Sequence, residues 1–456
     1  MSEPDQSAPT DQAVEQLAPP AARRRARRSW PQRFVLGFNV LAALACFGTA
    51  LGLYYANERV GDRKVVTIEH AEPVPGELFT APGSVPVTDD TAGDDAPVDV
   101  AAANFLITGA DNGDCVEQGD LPDADVGDRT GLGERSDTIM VIRVDPATNQ
   151  AAVLSFPRDL WVRIGGGSRK SRINSAFDRN DPSRLVQTIE LEFGIPIDHY
   201  INVDFCAFKE IVSAVDGVRV PFPYAVRDKG TGLSIPQAGC YPLGPDEALD
   251  YVRSRKYEYL DPATGTWKQD PTSDFGRIAR QQDFIRRALQ KALDKGARDP
   301  RVANQLLNAG LKYVITDDGL TIGSLLDFAR AMKNLDPATI HTYTVESERA
   351  IISSNDVLLP RLESDNMEAI LAVFRGQARL ADAPEQAATT PITTTSTSST
   401  YTTLAPSRTT VGTPGPSAPA TTSTTSAPTT TTSTLPTVVA EENQQGIVPP
   451  PDLSCR

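Results

Sequence analysis

Histidine is scarce: His70, His199 and His341 are the only three in 456 residues, which leaves little material for a histidine-ligated zinc site. The five cysteines show no CxxC spacing, excluding the common zinc-ribbon and thioredoxin-like signatures. Positive charge is outnumbered, with 44 Lys plus Arg against 59 Asp plus Glu and a net charge of −15. That balance argues against nucleic acid as a partner, because gripping a phosphate backbone takes cations clustered over a whole face. Gly165-Gly166-Gly167 is not followed by GK[ST], so it reads as a hairpin turn and not a phosphate loop. Ser155 lacks a GxSxG setting and an evident His partner, which removes the serine-hydrolase reading. No internal repeat of solenoid length is present.

Long apolar runs are also absent, with one exception. Residues 34–56 carry no charge and would reach ~35 Å as a helix, enough for a ~30 Å hydrocarbon core. Arg23, Arg24, Arg25, Arg27, Arg28 and Arg33 precede the run without an acid among them. By the positive-inside rule, residues 1–33 form a cytoplasmic basic tail, 34–56 a transmembrane signal-anchor, and everything beyond lies outside the cell membrane. A cleaved signal peptide and a lipoprotein are the rival readings. The run is long for a signal h-region, and Cys46 is followed by more apolar sequence. Residues 57–100, rich in Pro, Gly and Asp, read as an extracytoplasmic spacer with a short strand near 64–68. At the other end, residues 377–456 read as a low-complexity tail: 29 of the 46 residues from 389 to 434 are Thr or Ser, which cannot bury a core. A wall-spanning glycosylated stalk and a plain disordered tail both fit.

The folded part is therefore residues 101–376. Apolar and β-branched runs predict strands at 104–109, 138–145, 151–156, 196–203, 218–222 and 341–345. Helical spacing predicts helices at 184–193, 205–215, 245–253, 277–295 and 322–335, the fourth being the longest and amphipathic. Interleaved helices and strands imply an α/β fold with a central mixed sheet and helices on its faces. His199 sits at a core edge in this scheme.

What punctuates the ends of these elements is arginine and aspartate. Arginines number 34 against 10 lysines. Arg135 and Asp137 begin a strand, Arg158 and Asp159 follow another, and Arg172 and Asn174 occur in SRINSAF. Arg253 and Arg255 close a helix, while Asp274, Arg277, Arg280 and Gln281 open the long one. Arg277 and Gln281 are i,i+4 and share a face. Guanidinium forks bind phosphate bidentately and stay charged when partly desolvated. Carboxylates without His or Cys partners suit a hard ion such as Mg²⁺, held by one or two carboxylates plus substrate phosphate. Together these make a phosphoryl-transfer site; taken singly, each pair is also what a surface salt bridge would look like.

In series, FLITGAD, RSDTIMVIRVDP, VLSFPRDLWVRI, RINSAF, GIPIDHYINVDFCAFKEIVSAVDGVRV, LDYVRSRK and DFGRIARQQDFI resemble the LytR-CpsA-Psr family, closely over residues 101–295 and loosely to 376. The resemblance implies an α-β-α sandwich in a membrane-anchored envelope enzyme. It would transfer a glycopolymer from a polyprenyl-diphosphate carrier to peptidoglycan, require Mg²⁺ and hydrolyse pyrophosphate bonds. By position it implies Asp111 and Asp137 as the metal pair. Arg135, Arg158, Asp274 and Arg277 would be catalytic, and Arg253, Arg255, Arg277, Gln281 and Arg172 would bind substrate. Two departures stand out: Gly109-Ala110-Asp111-Asn112 lacks the Ser and Arg usual beside that Asp, and an acidic insertion, 114–134, separates Asp111 from Asp137. Ile278, Phe284, Ile285 and Leu289 either line a slot for the polyprenyl tail or pack the core. A non-catalytic module that binds lipid-linked sugars is the alternative function. Outside the membrane disulfides persist; Cys206 with Cys240 is one candidate pair, Cys115 competes for either, and one unpaired Cys or a Cys115–Cys455 bridge stays open.

Overall fold

Seven strands form the main sheet, all but β6 at expected apolar runs: β1 Val65–Val66, β2 Ala103–Ala110, β3 Ser136–Asp145, β4 Gln150–Ser155, β5 His199–Asp204, β6 Ile315–Asp317 and β7 His341–Thr344. Their spatial order is β1-β6-β5-β2-β3-β4-β7. Three neighbouring pairs are parallel and three antiparallel, so the sheet is mixed, as the interleaving predicts. The computed structural model describes residues 64–72, 100–110, 136–296, 300–332, 334–381, 435–450 and 455. All of them belong to one compact unit beginning at Asp62.

The helices are α1 Ser183–Phe193, α2 Phe205–Ala214, α3 Pro245–Arg253, α4 Asp274–Gly296, α5 Pro300–Tyr313, α6 Ile322–Ala331 and α7 Asp365–Phe374. Strand alternation sends Leu106, Val141 and Leu154 to one face, where they meet Leu185, Val186 and Ile189 of α1 and Ile370, Leu371 and Phe374 of α7. Met140 and Val153 point the other way, toward Ile285 and Leu289 of α4, and Phe105 on the same side meets Phe328 of α6. Helices thus cover both faces. Their ends follow local chemistry: α1 stops at Gly194, whose φ of 68° takes the left-handed turn. The Asp204 carboxylate caps α2 by accepting from the Ala207 N–H at 2.7 Å. A second core, beside the main sheet, joins α2, α3 and Phe284 of α4 to Val218, Val220 and Phe222. Over it lies a four-stranded sheet in the order 233–235, 226–228, 258–260, 267–269.

Several elements escaped the sequence pattern: α5, β6, α7 and the hairpin of Ser347–Ile352 with Asn355–Pro360. Helix α4 begins at Asp274, three residues before the expected start, and α6 ends at Ala331. The triple-glycine segment is indeed a turn, between the antiparallel strands Trp161–Arg163 and Lys170–Arg172.

Both ends of the stretch expected as tail join the fold. Arg379–Leu380 pairs in parallel with Thr437–Val438. Beyond it, Asn443 brackets Thr344, accepting from its N–H and donating to its carbonyl, each at 2.9 Å. The Glu442 carboxylate accepts from the Thr342 N–H at 2.9 Å. This covers the outer edge of β7, which would otherwise expose unpaired backbone. Further on, the Ile447 carbonyl accepts from Arg280 of α4, and Cys455 is disulfide-bonded to Cys240. The candidate pairs Cys206–Cys240 and Cys115–Cys455 are thereby both corrected; Cys206 is disulfide-bonded, but not to Cys240. The return of the chain at 435–455 brings a thiol 215 residues away into reach. The apolar run 34–56, the acidic insertion and the Thr/Ser tract lie outside the described residues. Among the described residues no helix is long and apolar enough to cross a membrane.

Candidate active site

The cluster forms where β3 starts, α3 ends and α4 begins. Strand β2 carries an irregularity at Gly109/Ala110, after which Ala110 pairs with Ser136. The insertion therefore leaves and rejoins the sheet at one bonded pair, with Asp137 the next residue on β3. A side chain at Gly109 would press on Thr138, 3.0 Å from its Cβ.

Asp137 accepts from Arg158 Nη1 at 2.6 Å and from Arg255 Nη2 at 2.6 Å, with Arg277 Nη1 at 3.4 Å. Arg277, 2% exposed, also donates to the Asp137 carbonyl at 2.7 Å. Asp274 meets Arg277 Nη2 at 2.9 Å and Arg255 Nε at 3.4 Å, contacts that set charge against charge without hydrogen-bond alignment. The residue before it, Ser273, has a φ of 51°, a left-handed conformation that costs a non-glycine residue energy and is found preferentially at functional sites. Arg172 joins at one remove, Nε 3.1 Å from Asp159, itself 3.5 Å from Arg158 Nε. Gln281 donates to Thr138 Oγ1 and to the Val252 carbonyl at 2.9 and 3.1 Å, tying α4 to β3 and to the end of α3.

Burial pushes the Asp137 carboxyl up, but Arg277, Arg255 and Arg158 outweigh it and hold it well below the usual carboxylate range. For Arg255, burial and the repulsion of Arg277 lower the pKa. Arg158 is also opposed by burial, yet Asp137 wins and raises it. The difference is meaningful: Asp137 cannot satisfy all three guanidinium groups at once. Counting Arg172, four cations face the three carboxylates of Asp137, Asp159 and Asp274, and the surplus favours an anion.

Asp111 and Arg135, expected in the site, lie outside the described residues. Arg253 is not drawn to Asp137; its guanidinium lies 4.9 Å over the Phe205 ring. The backbone reason is that α3 ends there and Ser254 turns extended, so Arg253 and Arg255 leave by different routes. Sequence reading missed what holds Arg255 in place. Asp228, 2% exposed, accepts from Ser254 Oγ at 2.6 Å and from the Lys256 N–H at 2.8 Å. Arg280, fully buried, donates to the Ser254 carbonyl at 2.7 Å and to Asp270 at 3.0 Å. Its place one turn after Gly276 in a polar helix start was the only signal. Asp250, three residues before Arg253, was also missed: burial pushes its carboxyl up to about 6, helped by Asp246, Glu247 and Asp228 and opposed by Arg253.

Among the described residues no group of three or more His, Cys, Asp or Glu could hold a metal. The oxygen-only donors Asp137 and Asp274 nonetheless fit a hard ion, which needs only one or two carboxylates when phosphate and water fill its shell. Both Asp274 oxygens are buried without a hydrogen bond.

A model described as the LytR_cpsA_psr family matches residues 88–372, enclosing the whole cluster. The chain belongs to the LytR-CpsA-Psr family. Among its relatives, the "Probable cell wall biosynthesis protein LcpB" of Corynebacterium glutamicum is 33% identical over 196 residues, 43% of each chain. The "Polyisoprenyl-teichoic acid--peptidoglycan teichoic acid transferase TagV" of Bacillus subtilis is 33% identical over 161 residues, 34% of this chain and 38% of its own. The chain thus spans about two fifths of the length of these curated relatives. A solved family structure, the "LytR-Csp2A-Psr enzyme from Actinomyces oris", is 21% identical with a TM-score of 0.49, covering 68% of this chain and 96% of that one.

Proposed function

We propose that this LytR-CpsA-Psr member is a membrane-anchored, extracytoplasmic phosphotransferase that moves a glycopolymer from a polyprenyl-diphosphate carrier to peptidoglycan. The observation that carries the reading is the crowding of Arg158, Arg255 and Arg277 around a single carboxylate, Asp137. A diphosphate entering there gives the guanidinium groups the negative charge they lack, and their fixed forks hold it for in-line attack. An acceptor hydroxyl attacks the sugar-bearing phosphorus and forms a new P–O bond. The P–O–P bridge breaks, and its electron pair leaves with polyprenyl monophosphate. The hydroxyl proton passes to a base. Asp137, held so far below the ordinary carboxylate pKa, is a poor base and serves as an electrostatic post. Water in place of the acceptor makes the same site a pyrophosphatase.

Asp137, with Asp111, would hold Mg²⁺, which when bound supplies charge neutralisation at the phosphate oxygens. For the lipid tail, Ile285 and Leu289 are partly exposed beside Ile107, Ile142 and Leu335, the apolar surface of α4 on which the tail would lie. Ile278 and Phe284 are buried instead, so only two of the four apolar residues remain for the tail. The apolar run 34–56 with its preceding arginines supports anchoring with the N-terminus in the cytoplasm. A relative named as a teichoic acid transferase supports the class of reaction.

The test is reconstitution of the full chain in detergent with a polyprenyl-diphosphate-linked saccharide, isolated peptidoglycan and Mg²⁺. Saccharide should become fixed to peptidoglycan with release of polyprenyl monophosphate in equal amount. Tight donor binding with neither transfer nor hydrolysis would favour the non-catalytic module; no donor binding would sink both.

A further inference from the structure

The hairpin between the two arms of the site carries a surface that the diphosphate chemistry does not use. Its strands, Glu258–Leu260 and Trp267–Gln269, pair antiparallel, and the first also pairs with Val226–Asp228. Register places Ser234, Arg227, Glu258 and Gln269 opposite one another in a row across the four strands, with Leu260 and Trp267 as the next pair on the same face. The other face buries Val226, Leu233 and Ile235 in the second core.

Trp267 is 37% exposed, so a ligand can reach the indole from solvent. The Arg227 guanidinium lies over one face of the ring, 4.0 Å from its centroid, and donates to Glu258 at 2.5 Å. That ion pair cancels its own charge, so the row is close to neutral while the neighbouring arginine cluster is cationic. The surface is also fixed relative to the site. Asp270 N–H donates to the Tyr257 carbonyl at 2.8 Å, closing the hairpin base, and Arg280 of α4 stacks 4.4 Å over Tyr257. Glu258 follows Arg255 by three residues, at most ~11 Å of chain.

We propose that this face is a saccharide-binding subsite, which seats the glycan chain of the acceptor beside the phosphoryl-transfer site. A pyranose has an apolar C–H face and a rim of hydroxyls. It fits the indole face away from Arg227, beside planar side chains that donate and accept, here Glu258 and Gln269, with the Ser234 hydroxyl beyond. An uncharged row suits uncharged sugar and not phosphate, which separates it from the arginine site. That the saccharide is the acceptor rests on the transferase reading; that the face binds saccharide does not.

Chitotetraose, a neutral N-acetylhexosamine oligomer, is the probe, titrated into the full chain in detergent by calorimetry, with pyrophosphate titrated in parallel for the arginine cluster. Trp267→Ala should weaken chitotetraose binding about tenfold, Gln269→Ala should weaken it as well, and Trp267→Phe should restore most of it. All three should leave pyrophosphate binding unchanged. Arg255→Lys should do the reverse, so failure of the phosphoryl-transfer reading shows only in the pyrophosphate arm. Wild-type binding unaltered in Trp267→Ala, absence of any chitotetraose binding, or parallel loss of both ligands would overturn the proposal.

Discussion

Arg255 makes two contacts that need a planar fork, to Asp137 and to Asp274, and lysine can reproduce neither pair at once. Arg255→Lys keeps the charge, yet should weaken binding of a polyprenyl-diphosphate donor by ~1.5–3 kcal/mol, the worth of one charge-assisted hydrogen bond, read by calorimetry. Asp250 gives a second residue-level test. Its folded pKa of about 6 lies above the ordinary carboxylate value near 4, so folding stability is lost as pH rises from about 4 to 6 and the full cost is present above that. Asp250→Asn should therefore raise the melting temperature at pH 7.5 and leave it unchanged at pH 4, as scanning calorimetry at both values would show. Equal gains at both values would mean that charge is not the cause. Residues of this kind divide sharply in legibility. Arg158, Asp274 and Arg277 could be picked from motifs because guanidinium and carboxylate groups at element ends declare their chemistry. Asp228 and Asp250 could not, because their roles come from burial, which no local spacing reveals.

Helix α4 shows the same division at the next scale. Its amphipathic period and its charged first turn were plain in the sequence, and so was the sharing of one face by Arg277 and Gln281. Hidden was the inward turn of Arg280, wholly buried against Asp270, itself 1% exposed. This pair joins three segments, since Arg280 also reaches the Ser254 carbonyl and Asp270 accepts from the Ile447 N–H at 3.2 Å. Gly276 permits the approach: a Cβ there would collide with Asp270 and with Thr272. Arg280→Met leaves a buried carboxylate without its counter-charge and should cost ~3–5 kcal/mol in urea unfolding. Adding Asp270→Asn should recover part of the loss; a double variant no more stable than the single one would show that packing, not charge, dominates. The elements missed, α5, α7 and the exposed hairpin at 347–360, follow the stretch with the strongest motifs. There the pattern offers only short apolar runs, and their placement is decided by contacts far along the chain.

At the scale of the molecule, sequence could foretell a mixed sheet with helices on both faces but not the strand order, which is fixed by pairings between distant segments. Nor could it show that the chain returns after its Thr/Ser tract to cover β7 and reach Cys240, since residues 435–450 contain no periodic pattern. The return makes a direct prediction. A protease that cuts once between residues 382 and 434 should yield two fragments that migrate together on a non-reducing gel and separate only after thiol reduction, because Cys240 and Cys455 hold them. Separation without reductant would contradict the bridge. The same connection has a mechanical meaning. A pull on the chain between residues 381 and 435 divides between two attachments, one at each strand of the pair. The short parallel pair of Arg379–Leu380 with Thr437–Val438 would yield first, in shear. The covalent link lies beyond Ile447 along the chain, so it takes the load only once the contacts at 442–447 have given way, and then keeps the chain end fastened to Cys240.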